Sequence, residues 1–160
     1  EAEIAVTLDS ELSGPHCTAA DVYQATRGLT AAIEIVDSRI RDWKITIADT
    51  VADLASNGAI ALGSRVIPLD SVDPRLIGMV FTKNGDVVAT GAGAAALGDP
   101  LAAVAWLANT LAPLGAPLPA GSVIMTGALH AMVPIQAGDT FRAEFDHLGP
   151  ITLKVVGEGE

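Results

Sequence analysis

Three glutamates carry the clearest chemical possibility in this chain. Glu1 and Glu3 stand two apart in Glu-Ala-Glu-Ile-Ala-Val. On an extended strand both carboxylates leave from one face, roughly 6–7 Å apart along the chain. Carboxylates that close repel unless positive charge sits between them. An isolated Glu-x-Glu is more often a solvated strand face, and Glu34 shifts that balance. It lies between Ile33 and Ile35 in an apolar run, where a carboxylate needs a partner or a metal unless it points out of a half-exposed strand. Three carboxylates without a histidine or cysteine cluster select a hard cation, Mg2+ or Mn2+, with Ca2+ a further option, and disfavour zinc.

Other residues are weaker candidates. Lys44 is flanked by Trp43 and Ile45. Such a lysine is either partly buried, to meet a substrate carboxylate or move a proton, or a surface lysine that lays its stem over the indole. Asp49, Asp53 and Ser56 follow at near-helical spacing and either line one face toward a site or cap and solvate a helix. Thr126-Gly127 ends an apolar strand, where a hydroxyl and free backbone N–H groups can hold a ligand oxygen. Most such turns are only structural. His16, His130 and His147 are scattered, and His130 alone follows that turn closely. No serine or cysteine has nucleophile-elbow context.

The elements that must position these groups are short. Residues 1 to 7 alternate as a strand, with Ile4 and Val6 on one face and Glu1, Glu3 and Ala5 on the other. Thr18 and Asp21 form a capping-box pattern for a helix whose spaced residues Val22, Ala25, Leu29 and Ala32 extend it to a strand at Ile33–Val36. Residues 45 to 62 are alanine-rich and read as a short helix in the middle. Gly78 to Thr90 reads as a hairpin turned at Asn84-Gly85, because both residues tolerate positive φ. Asp99-Pro100 starts the best helix, with Leu101, Val104, Leu107, Ala108 and Leu111 as its stripe. Ser122 to Met125 is a short strand, and Thr140–Phe145 pairs with Ile151–Val155 in a last hairpin. Many short strands and about three helices make a β-rich α+β domain. Gly91-Ala92-Gly93 follows a strand but lacks the third glycine of a dinucleotide fingerprint.

Bulk properties narrow the partners. The chain has 160 residues, half of them apolar, enough for one domain with a real core. The most apolar stretch, 101 to 118, is broken by Asn109, Pro113 and Pro117 and is too short to span a bilayer. A net charge of -10 disfavours nucleic acid and anionic membranes. It does not disfavour a small anionic substrate, because a bound cation reverses the local sign. One cysteine, Cys17, excludes an intramolecular disulfide and points to a reducing cytoplasm.

Taken together, Glu1-x-Glu3, Glu34 within Ile-Glu-Ile-Val-Asp-Ser-Arg-Ile, and Asp42-Trp43-Lys44-Ile45 resemble the hydratase and decarboxylase branch of the fumarylacetoacetate hydrolase superfamily. So do Asp49-Thr50-Val51-Ala52-Asp53, residues 88 to 95, Trp106-Leu107-Ala108-Asn109, Thr126-Gly127-Ala128-Leu129, Gly138-Asp139 and Leu148-Gly149. The resemblance covers essentially the whole chain. Asp42-Trp43-Lys44-Ile45 and Thr126-Gly127-Ala128-Leu129 look more like the hydratases, whereas residues 88 to 95 and Ile124-Met125-Thr126-Gly127 look like the decarboxylases. Leu54 departs from the pattern, which has Asn after Ala-Asp.

The resemblance implies a mixed β-sandwich roll of the kind formed by the C-terminal domain of that family, with a few helices. It implies Mg2+ or Mn2+ held by Glu1, Glu3 and Glu34, Lys44 as the catalytic or substrate-contacting group, and Ser56 and Thr126 lining the substrate pocket. The implied reaction is water addition to 2-hydroxypenta-2,4-dienoate, giving 4-hydroxy-2-oxopentanoate in meta-cleavage catabolism of aromatic compounds. The alternatives are decarboxylation of 4-oxalocrotonate and a non-catalytic homologue that binds a 2-oxo acid or only assembles. The implied partners are a small 2-oxo or 2-hydroxydienoic acid, further copies of the chain and a paralogous decarboxylase. The chain opens on Glu1 inside a strand, so the expectation is one metal-binding catalytic domain, 1 to 160, without the family's N-terminal segment.

Overall fold

A computed structural model of the chain describes residues 1–157. It contains two four-stranded sheets. The first has the order β3-β2-β1-β6, from β1 (Ala2–Leu8), β2 (Thr26–Val36), β3 (Asn57–Leu62) and β6 (Val123–Met125). The second has the order β5-β4-β7-β8, from β4 (Gly78–Lys83), β5 (Asp86–Ala92), β7 (Thr140–Phe145) and β8 (Gly149–Lys154). Every ladder between these strands is antiparallel. Three helices complete the described residues: α1 (Ala19–Ala25), α2 (Ile47–Ala52) and α3 (Pro100–Leu111), with short 3-10 turns between elements.

One apolar core joins the two sheets. It takes Ile4, Val6, Leu29 and Ile33 from the first sheet and Met79, Phe81, Phe141 and Ala143 from the second. Phe81 and Phe141 stack with centroids 5.6 Å apart. Each such ring contributes about 1.5–3 kcal/mol by leaving water. Leu101, Val104 and Ala108 of α3 seal the same core.

Local signals act as their chemistry dictates. Thr18 and Asp21 form a reciprocal capping box on α1, Thr46 and Asp49 form one on α2, and Asp99 accepts the Leu101 N–H at the start of α3. Asn84 and Gly85 turn the β4–β5 hairpin with φ of 53° and 95°.

The first helix is shorter than its spacing suggests. α1 ends at Ala25, the Thr26 hydroxyl closes it on the Val22 carbonyl at 2.6 Å, and the chain continues as an eleven-residue strand. Leu29 and Ala32 are therefore strand residues. β2 lies between β1 and β3 and is buried on both faces from Gly28 to Ile33. A strand buried on both sides has no reason to alternate, so its apolar residues mimic a helical period. β1 is likewise buried on both faces, so the side that carries Glu3 faces protein and not solvent. The region 45 to 62 splits between α2 and the strand β3.

Candidate metal centre

The three glutamates meet because of strand register. Glu1 and Glu34 exchange backbone hydrogen bonds, the Glu1 nitrogen to the Glu34 carbonyl at 2.9 Å and the reverse at 2.8 Å. Directly opposed residues of an antiparallel pair carry their side chains on the same face, about 5 Å apart. Glu3 is two residues further along that face, opposite the small Ala32. As a result one carboxylate oxygen from each of Glu1, Glu3 and Glu34 lies within 4.8 Å of the others. Like charges so placed destabilise a sheet unless a cation or protons intervene.

The surroundings fix two of the carboxylates. The Gly127 N–H donates to Glu3 Oε2 at 2.9 Å, and the Asn57 side-chain amide donates to Glu34 Oε1 at 2.7 Å. Each bond holds one oxygen and leaves the other free to ligate. Glu3 is only 2% exposed. Burial pushes its carboxyl up to about 7, the neighbouring Glu34 and Glu1 push the same way, and the Gly127 N–H opposes them. Burial also raises Glu1, helped by the charge of Glu34. Three hard oxygen donors, with the carboxyls of Glu1 and Glu3 raised, fit a divalent cation, which would take the place of protons held there.

Glu1 and Glu34 open into a cavity of about 350 Å³. Its walls are mainly apolar: Ile33, Ile35, Val36, Trp43, Phe81, Met132, Val133, Pro134, Ile135, Phe141 and Leu153. Among the described residues no lysine or arginine lines it. Lys83 lies 5.5 Å from the Phe141 ring centroid, but its ammonium is bound to Asp139 at 2.8 Å and to the Pro134 carbonyl at 2.9 Å.

The remaining expected site residues stand apart from these walls. Lys44 is not partly buried: its side chain is 80% exposed and reaches Asp42 at 3.6 Å. Two successive left-handed residues, Asp42 and Trp43, turn the indole to the cavity and the lysine to solvent. Ser56 is buried and donates to Asp53 Oδ2 at 3.2 Å, and Thr126 is buried and donates to the Ile4 carbonyl at 2.8 Å. Neither lines the cavity. Asp49 is spent on the α2 cap.

Asp53 organises the loops over the site. It accepts from the Ser38 hydroxyl, the Arg39 N–H, the Arg39 guanidinium at 3.0 Å and Ser56. Burial opposes its ionisation, yet the bonds from Arg39 and Ser56 hold its carboxyl below the usual range. The turn it anchors, Leu54-Ala55-Ser56, has three consecutive left-handed residues with φ of 55–57°, and it delivers Asn57 to Glu34. Leu54 is 72% exposed, so the polar group it lacks would face solvent. A left-handed leucine costs about 1 kcal/mol, whereas Asn tolerates that region. Leu54→Asn is expected to raise the melting temperature by roughly 2–4 °C and leave metal affinity unchanged, as calorimetry with and without Mg2+ would show.

Asn57 and the cavity walls from Met132 to Ile135 had no sequence signal of their own. The Gly127 N–H had one, because the Thr126-Gly127 turn offers backbone donors to an oxygen. That oxygen belongs to Glu3.

The fold is a sandwich of two antiparallel sheets with three converging carboxylates that could hold a cation. The family described as Fumarylacetoacetate (FAA) hydrolase C-terminal matches residues 1–156, and the chain belongs to it. The 2-keto-4-pentenoate hydratase of Burkholderia vietnamiensis (strain G4) is 48% identical over 151 residues, 94% of this chain and 58% of its own length. The 4-oxalocrotonate decarboxylase of Pseudomonas putida is 43% identical over 98% of this chain and 59% of its own. The solved 4-oxalocrotonate decarboxylase from Pseudomonas putida G7, complexed with magnesium and adipate, superimposes with a TM-score of 0.94 at 42% identity, covering 98% of this chain and 59% of that one. The same enzyme has been solved with calcium and acetate, with a TM-score of 0.91. The chain thus spans less than two thirds of the length of the curated relatives it matches. No described helix is long and apolar enough to cross a membrane.

Proposed function

We propose that this chain is the metal-binding part of a hydratase that adds water to 2-hydroxypenta-2,4-dienoate, giving 4-hydroxy-2-oxopentanoate in meta-cleavage catabolism of aromatic compounds. The observation that carries this is the carboxylate cluster set into the wall of a mainly apolar cavity. Glu1, Glu3 and Glu34 would hold Mg2+ or Mn2+. A divalent ion there supplies Lewis-acid polarisation to the carboxylate end of a 2-oxo acid. The Gly127 N–H and the Asn57 amide orient two of the three carboxylates. Thr126 and Ser56 act one step back: Thr126 fixes the turn that carries Gly127, and Ser56 fixes the turn that carries Asn57. Phe81, Phe141, Val133 and Leu153 keep bulk water from the cavity and accept a hydrocarbon tail.

That tail decides between the two enzyme readings. Against the described walls, a second carboxylate in this cavity would lose hydration without gaining a cation. The substrate of the hydratase has an alkenyl end, and the substrate of the decarboxylase has a carboxylate. The close structural likeness to a decarboxylase supports the second reading, decarboxylation of 4-oxalocrotonate. The full-length protein assayed on both substrates, with Mg2+ and with EDTA, separates them. Expected are consumption of the dienoate to the 4-hydroxy product and loss of that activity in EDTA. Release of CO2 from 4-oxalocrotonate without hydration would overturn the choice. Metal uptake with no turnover of either would leave a binding or assembly homologue.

Lys44 follows Trp43, a wall residue, and its exposed ammonium, paired only loosely with Asp42 at 3.6 Å, is suited to draw in the substrate carboxylate. Lys44→Met is expected to raise KM about threefold to tenfold at low ionic strength with little change in kcat, because an exposed charge acts on encounter. A kcat loss of a hundredfold would instead make Lys44 a proton-transfer group. Further copies of the chain and a paralogous decarboxylase are its proposed partners, and a reducing cytoplasm, matched to the buried Cys17 thiol, its proposed compartment.

A further inference from the structure

The ladder between β1 and β6 covers only Ala5 to Thr7, so the β1 edge that carries the glutamates runs on past its strand partner. The segment from Thr126 to His130 takes over that edge. Thr126 donates its N–H and its hydroxyl to the Ile4 carbonyl, at 3.3 and 2.8 Å. The Leu129 N–H donates to the Ala2 carbonyl at 3.1 Å. The Ala2 N–H donates to Nε2 of His130 at 2.9 Å. In this last bond a side chain supplies the acceptor that a neighbouring strand would supply as a carbonyl.

Ala2 is the residue between Glu1 and Glu3, and both of its backbone groups are held by Leu129 and His130. Because Nε2 accepts, the ring proton sits on Nδ1, which lies 2.7 Å from the Ala131 carbonyl and donates to it. The second bond fixes the ring plane. Phe81, a cavity wall, packs against the same ring with centroids 4.6 Å apart.

We propose that His130 is a positioning residue for the carboxylate cluster: through Nε2 it anchors the Ala2 amide and sets the placement of Glu1 and Glu3 against Glu34. This rests on the metal-centre reading above. Groups that orient metal ligands without touching the ion are worth about tenfold to hundredfold in metal affinity.

Two substitutions separate the hydrogen bond from the packing. His130→Phe keeps a ring against Phe81 and removes the acceptor. His130→Gln loses the ring and keeps an acceptor oxygen at about the reach of Nε2. Mn2+ affinity is measured by titration calorimetry and by the free-ion paramagnetic resonance signal, with melting curves to show that each variant folds. Expected is a loss of about tenfold to hundredfold in Mn2+ affinity for His130→Phe, with affinity within about threefold of the parent for His130→Gln. At saturating Mn2+ the His130→Phe variant should recover kcat, since no reacting atom is touched. Equal affinity in His130→Phe and the parent overturns the role. Equal loss in both folded variants also overturns it, because the ring and not the acceptor would then matter. A parent protein that takes up no Mn2+ sinks the metal centre and this role together, a result distinguishable from the other two.

Discussion

Glu3→Gln is expected to abolish useful divalent-metal binding and, at the same time, to raise the melting temperature of the metal-free protein at pH 8. Both effects come from one buried carboxyl. Its pKa in the folded chain is about 7, mainly through burial, against 4.5 for an ordinary glutamate. The folded state therefore keeps this proton to higher pH than the unfolded chain does. Whatever stability the protonated group confers is complete below pH 4.5 and is lost as pH rises through 7. Across that window the metal-free protein gives up on the order of 3 kcal/mol on this account. The amide of glutamine never ionises. It can still accept the Gly127 N–H and can donate to the carboxylates of Glu1 and Glu34, so repulsion becomes hydrogen bonding. The cost falls on the metal, which loses a charged ligand and with it more than the roughly hundredfold in affinity that an outer-shell group is worth. Calorimetric melting at pH 5 and pH 8, with and without Mg2+, tests both halves. The parent should melt lower at pH 8 than at pH 5 without metal, and its gain from Mg2+ should grow with pH as the ion displaces protons. A variant whose metal-free melting still falls between those pH values in the manner of the parent would show that Glu3 is not the group that holds the proton.

Gly93→Ala is the substitution expected to damage the fold most. A Cβ at Gly93 would stand 1.8 Å from the Pro74 carbonyl oxygen, 2.9 Å from its carbon and 3.1 Å from Ile4 Cδ1. The obstacle is backbone, within a 3-10 turn whose Asp73 cap accepts the Arg75 N–H. It cannot swing aside as a side-chain tip would. Gly93 is itself pinned, since its N–H donates to the Ile77 carbonyl at 3.0 Å. Overpacking against a fixed wall costs about 4 kcal/mol, the upper end for one substitution. In a domain of this size that lowers the melting temperature by roughly 10 °C. Gly78→Ala is the control, because nothing lies within 4 Å of its Cβ position, and it should change stability by less than about 0.5 kcal/mol. Equal melting of the two variants would mean that the Pro74 turn yields freely. Gly91 obeys the same logic on the functional side. A Cβ there would stand 2.4 Å from the Leu129 carbonyl oxygen, in the segment that holds Ala2 and Glu3. The Gly-Ala-Gly run that resembles a broken nucleotide fingerprint is thus a place where two other backbone segments come close.

Much of the architecture was legible in local chemistry. Thr18 with Asp21, Asp99 with Pro100 and Asn84 with Gly85 start helices or turn a hairpin here, because each satisfies a neighbouring backbone group or supplies a needed φ. The convergence of Glu1, Glu3 and Glu34 was not legible in this way: their carboxyl types pointed to a hard ion, but only the fold brings them within 4.8 Å of one another. The path of β2 was not legible. Val22 and Ala25 do lie on α1, but a strand buried on both faces carries no alternation, so Leu29 and Ala32 of β2 continued the helical spacing by accident. Whether Lys44 is buried or exposed stayed open in the sequence, because its exposure follows from the left-handed turn at Asp42 and Trp43, which no pattern announced.

The sequence by itself determined which groups are available and which short elements carry them, since caps, turns and ligand chemistry act over a few bonds. Only the tertiary structure decided that Glu1 stands opposite Glu34, that Asn57 and Gly127 each take one carboxylate oxygen, and that His130 reaches Ala2. Those contacts span 23 to 128 residues of chain. They depend on β-register, where a slip of one residue would turn every side chain of the strand to the opposite face and scatter the carboxylates.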